Sequence, residues 1–450
     1  MIRRGATAVT VLAAAFVALC ASARAAARAQ TPSRPNVVFI MVDDFGYECV
    51  AANGGGYETP NVDALAKSGI RFERAFAQPL CTPTRAQLMT GQYNLRNYTQ
   101  FGELDPRLQC FAQWFRAAGY RTGIFGKWQL GRRPDLPQHF GFDESVLWQH
   151  TRRPPRYANP GLEFNGKERD YRAGEFGEDL LTDELCNFVD RNKDRPFLAY
   201  YPMVLTHDPF EPTPDSPDYP RSALAPEKDP SRKANPRYFK DMVRYADRCV
   251  GRVLAKLDAL GLREKTLVVF TGDNGTGRPI TSRLSGKPYR GGKGLHQESG
   301  MRVPLVVSWP GRIPAGRVTR ALVDSTDHAP TLLDAAGLPR PQGWTLDGKS
   351  LWPQLTGAST AGREFIYSWY ARDGGEKGSE FVRGDRLKLY RGGRLFDVEA
   401  DPDEQAPLNA ATLTPDQIRE HRLLEGALKL YEGGRPEWTW KNRPKLPADT

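Results

Sequence analysis

The chain has 450 residues, of which 40% are hydrophobic, 10% aromatic and 26% charged. That globular balance excludes a disordered tail, a collagen and a coiled coil, and at roughly 100 to 200 residues per domain the length suits a large core with a smaller partner. Lys and Arg outnumber Asp and Glu by 63 to 53, a formal charge of +10, but the two signs are mixed throughout, which argues against a nucleic-acid partner and leaves a mild attraction for anionic ligands.

Residues 1–29 read as an export leader. Arg3 and Arg4 form a positive start, Ala6 to Leu19 an apolar run, and Ala-Ser-Ala at 21–23 or Ala-Arg-Ala at 27–29 a small-residue cleavage site. The run is too short to span a bilayer and no later segment reaches that length, so the mature protein is expected in the periplasm or outside the cell, with no membrane partner. Removing Arg3, Arg4, Arg24 and Arg28 lowers the charge from +10 to +6. Of six cysteines, five remain once Cys20 is gone: Cys49, Cys81, Cys110, Cys186 and Cys249. An odd number cannot all pair within one chain, so one is a candidate for other chemistry.

Next comes the strand Asn36 to Val42, which ends in Asp43-Asp44. Adjacent carboxylates repel unless a cation or a basic group lies between them, and a hard cation with oxygen ligands, Ca²⁺ or Mg²⁺, is the natural partner. Tyr120 to Phe125 and Phe197 to Val204 read as further buried strands. Pro209 to Pro236, crowded with prolines and charges, reads as a long irregular loop. Met242, Tyr245, Cys249, Val253, Leu257 and Leu260 form one apolar helical stripe that stops at Gly261. The strand Thr266 to Thr271 is followed by Gly272-Asp273-Asn274-Gly275, a second set of hard oxygen ligands. Taken singly, each acidic cluster reads as readily as a solvated turn; two on the same edge of one sheet point to a metal site.

The strand Val303 to Trp309 follows, and Asp327-His328-Ala-Pro330 reads as a helix start rather than a zinc pair. Strand alternating with helix over about 300 residues predicts an α/β sandwich with a mostly parallel sheet, and such sheets bind ligands beyond the carboxyl ends of their strands. Beyond a composition shift near 355–365, Glu364 to Tyr370, Ser379 to Tyr390 and Arg394 to Val398 predict a small antiparallel subdomain, closed by a helix at Pro415 to Tyr431. The expected organisation is a leader at 1–29, a catalytic domain at 30–358 and a C-terminal subdomain at 359–450.

The most specific segment is Cys81-Thr82-Pro83-Thr84-Arg85-Ala86-Gln87-Leu88-Met89-Thr90-Gly91. It carries the C-x-P-x-R pattern and resembles the signature of the type I sulfatases, which have the alkaline-phosphatase-like fold. Further motifs resemble the family in the family's order: Lys127 in Gly126-Lys-Trp-Gln-Leu-Gly131, His207 in Thr206-His-Asp-Pro209, and Lys293 in Gly291-Gly-Lys-Gly294 ahead of Arg302-Val-Pro-Leu305. The resemblance implies that Cys81 is oxidised to formylglycine by a formylglycine-generating enzyme during maturation. It also implies that Asp43, Asp44, Asp273, Asn274 and the modified residue 81 hold one Ca²⁺, and that Arg85, Lys127, His207 and Lys293 act on a sulfate ester of a small molecule or glycan.

The chemistry is coherent with those residue types. A sulfate ester brings a compact anion, which the metal, Arg85, Lys127 and Lys293 would together offset. A thiol is soft and suits an oxygen-rich site poorly, whereas a hydrated aldehyde offers oxygen. His207 and Lys293 are candidates to protonate the departing alcohol. One departure matters: Gln129 stands where the family has a histidine that contacts sulfate and drives its elimination, and glutamine cannot take a proton near neutral pH. Gln129 is therefore expected to bind substrate only. Two other readings keep the fold, a phosphodiester or phosphonate monoester hydrolase and a catalytically silent sulfoglycan-binding protein. Arg132, Arg133, Arg152, Arg153 and Arg156 are candidates to line an anionic approach or to be solvated loop charge, and His296 is a candidate to face the site.

Overall fold

Every residue of the strand Asn36–Val42 is buried, and its side chains alternate between two separate cores. Val38, Ile40 and Val42 enter one and Val37, Phe39 and Met41 the other, as the two-residue period of a strand requires. This places the strand in the middle layer of three. The computed structural model describes residues 34–219 and 234–441; the expected leader and half of the Pro209 to Pro236 loop lie outside the described residues.

The central sheet has ten strands: β1 (Asn36–Val42), β2 (Ile70–Phe76), β3 (Arg121–Lys127), β4 (Glu144–Trp148), β5 (Gly161–Phe164), β6 (Lys167–Asp170), β7 (Phe197–Pro202), β8 (Thr266–Gly272), β11 (Arg302–Ser308) and β12 (Arg317–Asp324). Their order is β12-β2-β11-β8-β1-β7-β3-β4-β5-β6. Only β11 and β5 run against the rest. Strands β9 (Thr281–Leu284) and β10 (Lys287–Arg290) form a separate hairpin.

Helices α1 (Pro60–Lys67), α2 (Cys81–Thr90), α3 (Phe111–Ala117), α4 (Gly177–Arg191), α5 (Phe239–Ala259) and α6 (His328–Ala335) cover the sheet. Helices α1, α4 and α5 supply one core and α2, α3 and α6 the other. The apolar stripe read from the sequence is the buried face of α5 from Met242 to Leu257, while Leu260 caps the helix and is half-buried. The chain is thus an α/β/α sandwich with a mostly parallel sheet. One strand departs from the expectation: Val303 to Trp309 corresponds to β11, which lies antiparallel to both β2 and β8, because a buried apolar run fixes burial and not direction.

A smaller antiparallel sheet follows, β13 (Ile366–Tyr370), β14 (Ser379–Arg383), β15 (Leu387–Tyr390) and β16 (Leu395–Asp397). The expected segment Ser379 to Tyr390 is two strands rather than one. Helix α7 (Pro415–Leu430) packs Leu424, Ala427 and Leu428 on this sheet, opening with Thr414 as a capping-box residue paired with Gln417. Phe76, Met301 and Leu322 meet Ile366, Phe381 and Phe396 across the junction with the main sheet.

Arg363 ties the junction. Its guanidinium donates to both carboxylate oxygens of Asp327 at the start of α6, and to Tyr93 Oη at 2.8 Å, with all three side chains buried. Breaking a buried pair by removing one partner leaves an uncompensated charge, which costs about 3–5 kcal/mol. Arg363→Ala is therefore expected to lower the urea midpoint of unfolding by an amount equivalent to that loss. An unchanged midpoint would show that the junction does not depend on this pair.

Candidate active site

Four neighbouring parallel strands, β8, β1, β7 and β3, deliver their carboxyl ends to one place. Asp43 and Asp44 follow β1, Lys127 ends β3, Asp273 and Asn274 follow β8, and His207 lies five residues past β7. Cys81 opens α2, which the short connection from β2 brings in from beyond β11. Lys293 arrives on the loop after the β9–β10 hairpin. Two glycines permit the close approaches: a Cβ at Gly126, whose φ is +140°, would lie 1.9 Å from Pro202 O, and one at Gly275 would lie 1.9 Å from Ser299 O.

Cations answer carboxylates one for one. Lys127 Nζ donates to Asp43 Oδ2 at 2.8 Å and Oδ1 at 3.1 Å. Arg85 Nη2 donates to Asp273 Oδ2 at 2.8 Å and lies 3.5 Å from Asp43. Lys293 Nζ donates to Asp44 Oδ2 at 2.6 Å. The Cys81 thiol donates to Asp43 Oδ1 at 3.3 Å and reaches Asp44 Oδ1 at 3.9 Å. All of these side chains are buried except that of Lys293, which is partly exposed.

The field follows from this arrangement. Burial pushes Asp43 up, but the charges of Lys127, Arg85 and Lys293 outweigh it and hold its carboxyl well below the usual range. Burial, then the charges of Asp273 and Asp43, push the Cys81 thiol well up. Asp44 and its neighbours hold Lys293 protonated against the cost of burial. Because Lys293 Nζ has only hydrogens to give, His207 Nε2, 2.8 Å away, must accept from it. The imidazole proton then sits on Nδ1, which faces the backbone oxygen of Asp208 at 2.7 Å and its carboxylate at 3.0 Å.

The donor set fits a hard cation. Ligand atoms of Asp43, Asp44, Cys81 and His207 all lie within 4.8 Å of one another. Asn274 Nδ2 donates to Asp44 Oδ1 at 2.8 Å, while its Oδ1 is buried with no hydrogen-bond partner. An acceptor oxygen beside three buried carboxylates calls for a cation in the same space. Asp273 is engaged differently, taking Asp44 N at 3.0 Å on Oδ1 and Arg85 on Oδ2.

A family model described as "Sulfatase" matches residues 35–338. The chain belongs to the sulfatase family. A second model, "N-sulphoglucosamine sulphohydrolase, C-terminal", matches residues 292–421. Arylsulfatase A of Homo sapiens is 33% identical over 419 residues, covering 82% of this chain and 77% of that protein. N-acetylgalactosamine-6-sulfatase of Canis lupus familiaris is 31% identical over 385 residues, covering 78% and 71%. Among solved structures, that of Ps i-CgsB superposes with a TM-score of 0.73 at 28% identity, covering 91% of this chain and 94% of that one. The protein is a sulfuric ester hydrolase, and the fold is the alkaline-phosphatase-like fold of its structural neighbours.

The structure corrects one sequence expectation about this sulfatase. His296 does not face the site: its half-buried ring packs on Phe381 of the C-terminal sheet at 5.7 Å, and its pKa is pushed down to about 4 by burial and by the charges of Lys388 and Arg394. The sequence also hid several supports. Glu178, in the first turn of α4, accepts Val204 N at 3.0 Å and Leu205 N at 2.9 Å, and Tyr157 Oη donates to the backbone oxygens of Val204 and His207. In sequence Glu178 looks like an ordinary acidic residue at a helix start. Asp44 and Gln129 adopt left-handed φ of +57° and +53°, a conformation that clusters at functional sites.

The elevated Cys81 pKa gives a direct check. In sulfatase whose residue 81 retains its thiol, iodoacetamide at pH 8 is expected to alkylate Cys81 more than about tenfold more slowly in the native protein than in urea. Equal rates, read by peptide mass, would show that the carboxylates do not suppress the thiolate.

Proposed function

We propose that this sulfatase cleaves sulfate esters of carbohydrate outside the cytoplasm, through formylglycine at position 81 and one bound Ca²⁺. The observation that carries the reading is the contact of Cys81 with Asp43 inside a ring of three buried carboxylates and three cations. Three negative and three positive charges leave that cluster neutral, so a dication held by Asp43, Asp44, Asp273, Asn274 and residue 81 makes the site positive and selects an anionic group. Residue 81 as formylglycine supplies a hydrated aldehyde, with one hydroxyl to attack sulfur and a second to expel sulfate.

The remaining roles belong to side chains of this chain. Arg85 and Lys127, fixed by Asp273 and Asp43, hold positive charge where the sulfuryl oxygens gain negative charge. Lys293 carries the proton that the departing alcohol needs, and His207, held by Asp208, is its relay. Burial of residue 81 keeps bulk water away from sulfur. Gln129 is assigned to substrate contact, and its buried Oε1 has no hydrogen-bond partner. Among similar structures are Ps i-CgsB in complex with k-i-k-neocarrahexaose and BT4656 in complex with its substrate D-glucosamine-2-N,6-O-disulfate, which supports a sulfated glycan. Residues 1–29 support export, and the formylglycine-generating enzyme is the maturation partner.

Cys81→Ala is expected to abolish release of 4-nitrophenol from 4-nitrophenyl sulfate while leaving the unfolding transition intact. The wild-type peptide covering residue 81 is expected to be lighter than the encoded one by the exchange of sulfur for oxygen and the loss of two hydrogens. Chelation should remove activity and Ca²⁺ restore it; two zinc ions per chain by elemental analysis would overturn the metal assignment.

Gln129 yields a separate expectation, since His296 is not available as a substitute base. If sulfate elimination is slowed, rapid mixing of wild type with the chromogenic ester should give a near-stoichiometric burst of nitrophenol before slow turnover. The burst should vanish in Gln129→His. No burst, with an unchanged steady rate in the variant, would make Gln129 a substrate-fitting residue alone.

A further inference from the structure

Lys293 holds its ammonium on Asp44 and His207 from a loop with little stiffness of its own. Three of the four residues from Gly291 to Gly294 are glycine, which loses the most conformational freedom on ordering. The loop leaves β9–β10, a separate two-stranded hairpin of a kind that is marginal alone in water. Hydrogen bonds hold its near end: Lys293 N donates to Thr276 O at 3.0 Å, Gly294 N to Pro79 O at 2.8 Å, and Arg278 Nε to Lys293 O at 2.9 Å. All three partners lie on loops themselves.

The far end is held from outside the catalytic sheet. Lys388 Nζ, on β15, donates to the backbone oxygen of His296, three residues past Lys293. The His296 ring meets Phe381 of β14 in a T-shaped contact at 5.7 Å, and the Lys388 ammonium lies 3.9 Å from the centre of the same Phe381 ring. Two residues further on, the half-buried Glu298 accepts from Arg383 Nε, at the end of β14, at 3.2 Å. The Lys388 side chain is 3% exposed, and a lysine so deep is rare unless paired. Glu404 pairs with it at 2.6 Å and is held in turn by Tyr390 Oη. That ion pair balances charge within the C-terminal subdomain. The contact with His296 adds nothing to the balance; it joins the subdomain to the loop that carries Lys293.

We propose that Lys388 is a positioning residue for Lys293: through the backbone of His296, the C-terminal sheet fixes where the Lys293 ammonium meets Asp44, His207 and the departing alcohol. The inference rests on the proton-donor role given to Lys293 in the proposed function. Lys388 acts by denying the loop freedom to swing, since a misplacement of about 1 Å costs a reacting group on the order of 100-fold in rate.

The test compares 4-nitrophenyl sulfate with phenyl sulfate, whose leaving group is more basic and depends more on a proton from the enzyme. The readout is the ratio of their kcat/KM values, which covers steps up to alcohol release and is blind to sulfate elimination. Measured on one preparation, the ratio is also independent of the folded fraction. Lys293→Ala is expected to raise it about tenfold or more over wild type. Lys388→Met is combined with Glu404→Gln, so that no carboxylate is left buried without its cation, and this pair should raise the ratio about fivefold. Glu298→Gln weakens the second tether without entering the subdomain's core and should raise it about twofold. Added to Lys293→Ala, the Lys388→Met, Glu404→Gln pair should change the ratio no further, because nothing is left to position. A wild-type ratio in the folded tether variants, or a further rise when the pair is added to Lys293→Ala, overturns the positioning role and leaves that of Lys293 standing. If Lys293→Ala itself keeps the wild-type ratio, Lys293 is not the proton donor and both inferences fall.

Discussion

Charge compensation in a dry site is the constraint on which the rest depends. Asp43, Asp44 and Asp273 are buried at the ends of two adjacent strands, where each unpaired carboxylate would cost several kcal/mol. Lys127, Lys293 and Arg85 answer them, and these come from three separate parts of the chain. The ends of the strands, the approach of α2 and the position of the loop after β10 must therefore be correct at once. In the proposed function, a cation and an anionic substrate would enter a site whose protein charges already balance, so that binding adds charge in pairs.

Holding that geometry falls to residues that never touch substrate. The segment 203–207 is fixed from below by Glu178, which takes two backbone N–H groups, and from the side by Tyr157. Thr206 N donates to Asp43 O at 2.7 Å and Asp43 N to Leu205 O at 2.8 Å, which stitches the His207 segment to the carboxylate pair. Rigid backbone of this kind holds catalytic groups without an ordering cost at the moment of reaction. Glu48 gives the other acidic loop a similar anchor, accepting Thr276 Oγ1 from a buried position two residues beyond Asn274.

Gln129 lies two residues past Lys127 and lines a cavity shared with Gln149 and several arginines. A neutral amide there can both donate and accept but cannot carry a proton. Its backbone adopts the left-handed conformation that Gln149 shares.

The sequence by itself determined the elements whose pattern is local. The strand Asn36–Val42 was legible because both of its faces are buried, α5 because one apolar stripe repeats at helical spacing, and Cys81 because its motif is contiguous. Strands β2 and β6 were not legible, since Arg71, Glu73 and Arg74 interrupt one and Lys167–Asp170 is charged and exposed throughout. The candidate residues were legible as types, but not what each one meets. Only the tertiary structure decided that Lys293 lies on Asp44, 249 positions away, that His207 accepts a hydrogen bond from Lys293, and that His296 points to the C-terminal sheet. The reason is physical: local pattern records which face of an element avoids water, whereas the charge a residue meets is set by chain segments folded against it from far away in sequence.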